Sequence, residues 1–133
     1  MSSAEQAYFS TKTATPNTTV DFNGRWSNEL GSHMDLTVST DGKVTGTYVS
    51  ARSEAGGPTP PMPLLGAVAG DLIFFCVNWG DSITSWVGHG VLESGQPRIL
   101  TLWHMALAIP DETDPLNQWE TIMAGADSFI PGR

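Results

Sequence analysis

The sequence predicts an all-β protein, an eight-stranded antiparallel up-and-down barrel, on three observations. Short runs of alternating apolar and polar residues follow one another from Gly24 onward, and Gly, Pro, Asp and Asn separate them. No helical period is sustained along the chain. Strands joined in series leave two sheet edges exposed, and closure into a barrel removes both edges.

The individual strands follow from the alternation and the turns. The first is expected at 24–29, and HMDLTVS at 33–39 forms the second, with its apolar residues on one face. The hairpin turn TDGK joins it to VTGTYVS at 44–50, after which ARSEAGGPTPP at 51–61 is the longest loop. The remaining strands are expected at 63–69, 72–79, 83–92, 98–108 and 118–128.

The chain of 133 residues corresponds to one domain. Residues 1–22 are rich in Ser and Thr and are expected to form a mobile tail, followed by the barrel at 23–130 and a short C-terminal tail at 131–133. The opening lacks the basic start and apolar middle of a signal peptide, and no apolar run reaches about 18 residues. No membrane span is therefore expected. Localisation stays open between a secreted protein whose signal peptide has been removed and an intracellular one.

Charge and composition exclude several function classes. The net charge is −8 with six basic residues, so a nucleic acid backbone would be repelled. Cys76 is the only cysteine and lies in an apolar run, where it is expected to pack as a small hydrophobe. The three histidines have no spacing suited to metal ligation, so neither a metal nor a cofactor is expected: they are His33, His89 and His104.

Tryptophans and hydroxyl groups share one side of the predicted barrel wall. Alternation places Ser82, Thr84 and Trp86 on one face of a strand, and Trp79 and Trp103 face the same interior. One interpretation is ordinary core with hydrated hydroxyls at the rim. The other is a pocket with aromatic walls whose polar groups bind a small polar ligand, because a buried hydroxyl without a partner costs roughly 1 to 3 kcal/mol.

Five motifs follow one another between about residues 24 and 130. They are GRWSNELGSHM at 24–34, GTYVS at 46–50, VNWGDSITSW at 77–86, LTLWHM at 100–105 and QWETIMAGADSF at 118–129. In this order they resemble the avidin and streptavidin family of biotin-binding proteins. The resemblance implies a barrel that binds biotin at one end without catalysis.

The resemblance also implies a role for each site residue. Donors to the ureido oxygen of biotin would be Asn28, Ser32 and Tyr48, and acceptors from its N–H groups would be Ser50 and Asp127. Thr84 would face the thioether sulfur, and Ser82 would lie near the valerate carboxylate. The apolar walls would be Trp79, Trp86, Trp103, Leu30 and Met105.

Alternatives remain for these residues. Asn28 and Asp127 could bond only to local backbone, and Tyr48 could be plain core. Trp26 lies in a Gly-x-Trp that lipocalins also use to close the barrel base, so it is assigned to structure. A lipocalin-like carrier of another small apolar ligand is favoured if Asn28 and Asp127 do not converge. A hydrolase is disfavoured, because no histidine lies in the Ser/Thr cluster.

Self-association is expected from two features. The run from Leu72 to Val77 is apolar on both faces, so its outer face is expected to pack on another subunit. The resemblance implies that Trp119 caps the pocket of a neighbouring subunit in a homotetramer with dihedral symmetry. A dimer is the alternative, because Ala124 and Ala126 offer little area on the outer face of the last strand.

Overall fold

The computed structural model describes residues 15–53 and 56–132. Over this part of the chain, eight strands close into one antiparallel barrel in sequence order, and one short helix precedes the last strand. The predicted fold class is therefore confirmed. The elements are β1 (Gly24–Asn28), β2 (His33–Val38), β3 (Lys43–Val49), β4 (Met62–Ala69), β5 (Leu72–Asn78), β6 (Ser82–Glu93), β7 (Gln96–Leu107), α1 (Pro115–Glu120) and β8 (Ile122–Pro131).

The two ends of the barrel differ in their connections. Because the strand direction alternates, the connections at 29–32, 50–61, 79–81 and 108–121 meet at one end, which we call the mouth and which holds the two longest loops. The tight turns after β2, β4 and β6 meet at the opposite end, which we call the closed end. The seam is made by β1 and β8, with Asn28 opposite Phe129.

A stack of aromatic rings fills the middle of the barrel. Trp86 lies between Tyr48, at 4.8 Å between ring centroids, and Phe75, at 5.0 Å, and both pairs are nearly parallel. Phe75 also meets Phe129 edge to face at 6.0 Å. All four side chains are buried, so they form a rigid layer between the mouth and the closed end.

Residues 16–22, the N-terminal strap, pack into the closed end. Val20 and Phe22 are buried, and the indole N–H of Trp26 donates to the Phe22 carbonyl oxygen at 2.9 Å. The Asp71 carboxylate accepts from the Thr19 N–H, the Thr19 hydroxyl and the Val20 N–H at 2.6 to 2.8 Å. Residues 16–22, within the segment 1–22 expected as a mobile tail, are thus buried against the barrel and hydrogen-bonded to it. Residues 1–14 lie outside the described residues.

Two glycines make room for the N-terminal strap. A Cβ on Gly70, whose φ is +58°, would lie 2.4 Å from the Asn17 carbonyl oxygen. A Cβ on Gly90 would lie 2.9 Å from the side chains of Phe22 and Val20. Neither position can accept a side chain unless the strap shifts.

The expected strand at 118–128 is wrong at its start. Residues 115–120 form α1 instead, and β8 begins at Ile122. Asp114 is the N-cap and its carboxylate accepts from the Leu116 N–H at 2.9 Å, while Pro115 occupies the first helical turn. Trp119 consequently lies on a helix at the mouth and not on a strand.

The outer surface of the barrel has a polar and an apolar half. The outer residues of β1 to β3 include the Arg25–Asp35 ion pair. Those of β4 to β8 include large exposed apolar side chains: Leu65, Phe74, Ile83, Val87, Leu102 and Ile122. Among the described residues, no helix has both the length and the apolar character needed to cross a membrane.

Candidate ligand site at the mouth of the barrel

The structure brings the predicted site residues together at the mouth. Those on strands lie in the mouth half of β1, β3, β6 and β7 and in the middle of β8, and they alternate with outward residues. They are Asn28, Tyr48, Ser82, Thr84, Trp86, Trp103, Met105 and Asp127. On the adjoining connections lie Ser32, Ser50 and Trp79. Leu30 and Trp119 also lie at this end but are 73% and 76% exposed, so neither is enclosed by its own barrel.

Aromatic rings line the mouth above the buried layer. Trp79 meets Tyr48 edge to face at 6.0 Å, and both Trp79 and Trp103 are half-buried. Trp103 lies opposite Trp86 in the β6–β7 ladder. On its other side, a Cβ on Gly125 would lie 2.4 Å from the Trp103 ring. Gly125 therefore lets the indole lie against β8, a role that a glycine inside a predicted strand could have signalled.

The side chains of the β1–β2 turn have defined hydrogen-bond directions. Asn28 Oδ1 accepts from the Leu30 N–H at 3.0 Å and the Ser32 N–H at 2.9 Å. Asn28 thus bonds to local backbone, as one interpretation of the sequence expected. These bonds use only its oxygen, so its NH₂ group can still donate to another acceptor. Ser32 Oγ accepts from the Ala51 N–H at 3.0 Å, and its own hydrogen remains to be donated.

Tyr48 is a donor for a different reason. It is 3% exposed, and burial is the largest effect on its hydroxyl, raising the pKa of Tyr48 far above its usual range. The negative charge of Asp127 raises this pKa further. The Tyr48 hydroxyl consequently keeps its proton at any physiological pH.

Two other groups have acceptor character. The Ser50 hydroxyl donates its hydrogen to the Arg52 carbonyl oxygen at 2.9 Å, which leaves its lone pairs to accept. Asp127 Oδ2 accepts from the Trp86 indole N–H at 3.0 Å. Burial raises the pKa of Asp127 and the charge of Glu29 adds to this, while the hydrogen bond from Trp86 and the nearby amide of Asn28 oppose it. The side chains of Asn28 and Asp127 therefore lie near each other.

The hydroxyls of β6 are also oriented. Thr84 is buried, and its Oγ1 accepts from the Trp79 indole N–H at 3.0 Å, which fixes that ring at the mouth. The Ser82 hydroxyl, nearer the rim, donates to Asp81 Oδ1 at 3.2 Å. Because the Trp79 indole N–H already donates to Thr84 Oγ1, the hydroxyl hydrogen of Thr84 points away from that indole.

Sequence reasoning gave no role to Glu29 and Thr101, which both support the site. The Thr101 hydroxyl donates to the Asp127 carbonyl oxygen at 3.0 Å. Glu29 Oε2 accepts from the Ser128 hydroxyl at 3.2 Å. No local sequence signal could predict the contact between Glu29 and Ser128, because the two residues lie 99 positions apart. Within the described ranges, His, Cys, Asp and Glu form no group of three or more suited to holding a metal ion.

A family model, a relative and two solved structures resemble this chain. The avidin family model matches residues 16–132. Avidin-related protein 7 of Gallus gallus is 31% identical over 118 residues, which cover 83% of this chain and 77% of that protein. Xenavidin superposes with a TM-score of 0.76 at 30% identity, covering 86% of this chain and 100% of that one. The crystal structure of a rhizavidin–biotin complex gives 0.71 at 28% identity, covering 86% and 98%. The chain therefore belongs to the avidin family.

Proposed function

We propose that the mouth of the barrel binds biotin, without catalysis, through a set of hydrogen-bonding groups whose directions match a cyclic urea. The observation that carries this proposal is the division of the site into donors and acceptors. Asn28, Ser32 and Tyr48 have hydrogens to donate. Ser50 and Asp127 have lone pairs to accept.

The donors would bind the ureido oxygen. Three converging donors polarise a urea carbonyl, and the oxygen accepts more strongly as negative charge builds on it. Asn28 Oδ1 and Ser32 Oγ already accept hydrogen bonds from backbone N–H groups. Both side chains would therefore donate hydrogens to the ligand, because their oxygens are already occupied.

The acceptors would bind the two ureido N–H groups. Asp127 would make the stronger bond, because a carboxylate acceptor is charge-assisted. The Trp86 indole N–H already holds Oδ2, so the carboxylate is oriented before the ligand arrives. The Ser50 oxygen would accept from the second N–H while its hydroxyl hydrogen is donated to the Arg52 carbonyl oxygen.

The apolar part of the ligand would lie between the indoles. Trp86 would form the base, with Trp79 and Trp103 at the sides. Thr84 would face the thioether sulfur and Ser82 would lie near the valerate carboxylate, with Met105 and Leu30 toward the rim. The similarity of the whole barrel to the rhizavidin–biotin complex supports biotin as the ligand.

Retention on immobilised biotin tests the proposal. The purified chain should be retained and then released by free biotin, and a column that carries only the linker is the control. Passage without retention, together with binding of a fatty acid or retinoid, would overturn the proposal in favour of a lipocalin-like carrier. The convergence of Asn28 and Asp127 argues against that alternative.

We further propose that the barrel forms a homotetramer with dihedral symmetry in which Trp119 completes a neighbour's site. The support is the apolar outer half of β4 to β8 and the 76% exposure of a large indole at the mouth. A dimer is the alternative, because Ala124 and Ala126 offer little area on the outside of β8. Light scattering should give four times the chain mass of 14.2 kDa, and a value of twice that mass would establish the dimer.

A further inference from the structure

Glu29 lies where the seam of the barrel ends beside the mouth. The β1–β8 ladder pairs Trp26 with Pro131, Ser27 with Ile130 and Asn28 with Phe129. The next pair in this register would be Glu29 with Ser128, but β1 has ended at Asn28. The ladder is instead continued by a side chain, because Glu29 Oε2 accepts from the Ser128 N–H at 3.4 Å and from the Ser128 hydroxyl at 3.2 Å.

This contact acts on the residue next to Ser128. Asp127 is held at two other points, because Trp86 donates to its carboxylate and Thr101 donates to its carbonyl oxygen. The Asn28 amide lies near the same carboxylate. The seam at Ser128 is the third point. We propose that Glu29 is a positioning residue that holds the Asp127 carboxylate in place by closing the seam at Ser128. This inference rests on the proposed role of Asp127 as a ligand acceptor.

The charge of Glu29 gives it a second effect. The groups that face Asp127 are Asn28 and Glu29 from β1 and its turn, Tyr48 from β3, Trp86 from β6 and Thr101 from β7. Glu29 is the only carboxylate among these neighbours. On the outer side, Arg98 reaches the Ser128 hydroxyl at 3.5 Å but is ion-paired with Glu93 at 2.8 Å. The negative charge of Glu29 therefore favours the protonated form of Asp127, which has lost its charge-assisted acceptor.

Substitutions at Glu29 separate position from charge. Glu29→Gln keeps an oxygen that can accept from Ser128 but removes the charge. Glu29→Ala removes both. The control is Glu112→Gln, which removes one carboxylate charge at the same end of the barrel, on the connection before α1. The measurement is the rate of release of labelled biotin from neutral to acidic pH, with thermal unfolding recorded to verify that each variant is folded.

Two results are expected. Glu29→Ala should release biotin about threefold to tenfold faster at neutral pH, as for the loss of a supporting hydrogen bond. In Glu29→Gln, the acceleration of release on acidification should be roughly twofold to fivefold smaller than in the unmodified chain, because an exposed charge has been removed. Glu112→Gln should follow the unmodified chain.

The outcomes distinguish this inference from the proposed function. If the unmodified chain binds biotin but both Glu29 variants behave like Glu112→Gln, the positioning role is overturned and the biotin site stands. If Glu29→Gln releases biotin at neutral pH as fast as Glu29→Ala, the carboxylate and not an acceptor oxygen closes the seam, and the positioning role stands with that change. A chain that does not bind biotin at all overturns the proposed function itself.

Discussion

The two ends of the barrel use their polar groups in opposite ways. At the closed end, the Asp71 carboxylate accepts three hydrogen bonds from the N-terminal strap, and the Trp26 indole donates to the Phe22 carbonyl oxygen. At the mouth, Asn28 and Ser50 each use one part of their capacity within the protein. The polar groups at the closed end are thus hydrogen-bonded within the protein, whereas those at the mouth are oriented and keep part of their hydrogen-bonding capacity.

This difference between the two ends indicates that the closed end contributes to the stability of the fold and the mouth to ligand binding. Groups that are satisfied by each other stabilise the fold, whereas groups held in place with capacity remaining are prepared for a ligand. Substitutions at the closed end should therefore change the free energy of unfolding, and substitutions at the mouth should change affinity. Variants at the two ends test this separation.

The largest effect is expected at the closed end. Phe22→Ala should lower the free energy of unfolding by about 3 to 5 kcal/mol, because it leaves a cavity against Trp26 and Gly90. Denaturant unfolding without biotin measures the change. If this variant unfolds at the same denaturant concentration as the unmodified chain, the closed end does not have the stabilising role assigned to it.

At the mouth, Asp127→Ala should weaken biotin binding by about ten to a hundredfold, because a buried charge-assisted hydrogen bond contributes roughly 1.5 to 3 kcal/mol. The free energy of unfolding without ligand should fall by less than in Phe22→Ala, because the loss of the acceptor for the Trp86 indole N–H is partly offset by removing a carboxyl whose charged form burial disfavours. Titration calorimetry and denaturant unfolding check the two parts. An unchanged rate of biotin release would remove Asp127 from the site.

The proposed tetramer gives a third test of the comparison. Trp119→Lys should lower the mass measured by light scattering and speed biotin release roughly tenfold, as expected for the loss of an aromatic contact at an interface. Gln118→Lys adds the same charge one residue earlier on α1 and is the control. A tetramer whose release rate does not respond to Trp119→Lys would make the indole merely structural.

The smallest effect should come from Asp71. Hydrogen bonds from Thr19 are the largest cause that lowers the pKa of Asp71 below 3.8 in the folded protein. Its stabilising contribution is therefore complete above the unfolded-state pKa and is lost as the pH falls through the lower folded-state pKa. Asp71→Asn should flatten the acid side of the stability profile, measured by thermal unfolding at several pH values. A profile parallel to that of the unmodified chain would show that the hydrogen bonds from the N-terminal strap to Asp71 do not stabilise the fold.

The sequence predicted the strands because their signals are local. Alternation and turn residues lie within a few positions of each other, and β2, β3 and β5 begin and end within one residue of their expected bounds. The short helix α1 escaped because six residues are too few to show a period, although the Asp114–Pro115 pair is an N-cap signal that was available.

Contacts between distant parts of the chain could not be predicted in this way. The N-terminal strap depends on Asp71, which lies 52 residues beyond Thr19, and on the space left by Gly90. The site residues were named through motif resemblance, and only the structure gives the hydrogen-bond direction of Asn28 and Ser50. Alternation placed these side chains at one end but could not assign their donors and acceptors.

The N-terminal strap also determines how the protein can be attached to something else. The strap enters at the closed end, and the Gly132 N–H donates to the Arg25 carbonyl oxygen at 2.7 Å, so β8 also leaves there. A partner domain or a solid support joined before residue 16 or after residue 132 would therefore lie behind the barrel. In either case the mouth would face away from the attached domain or support, so an immobilised protein would keep its mouth open to the solution.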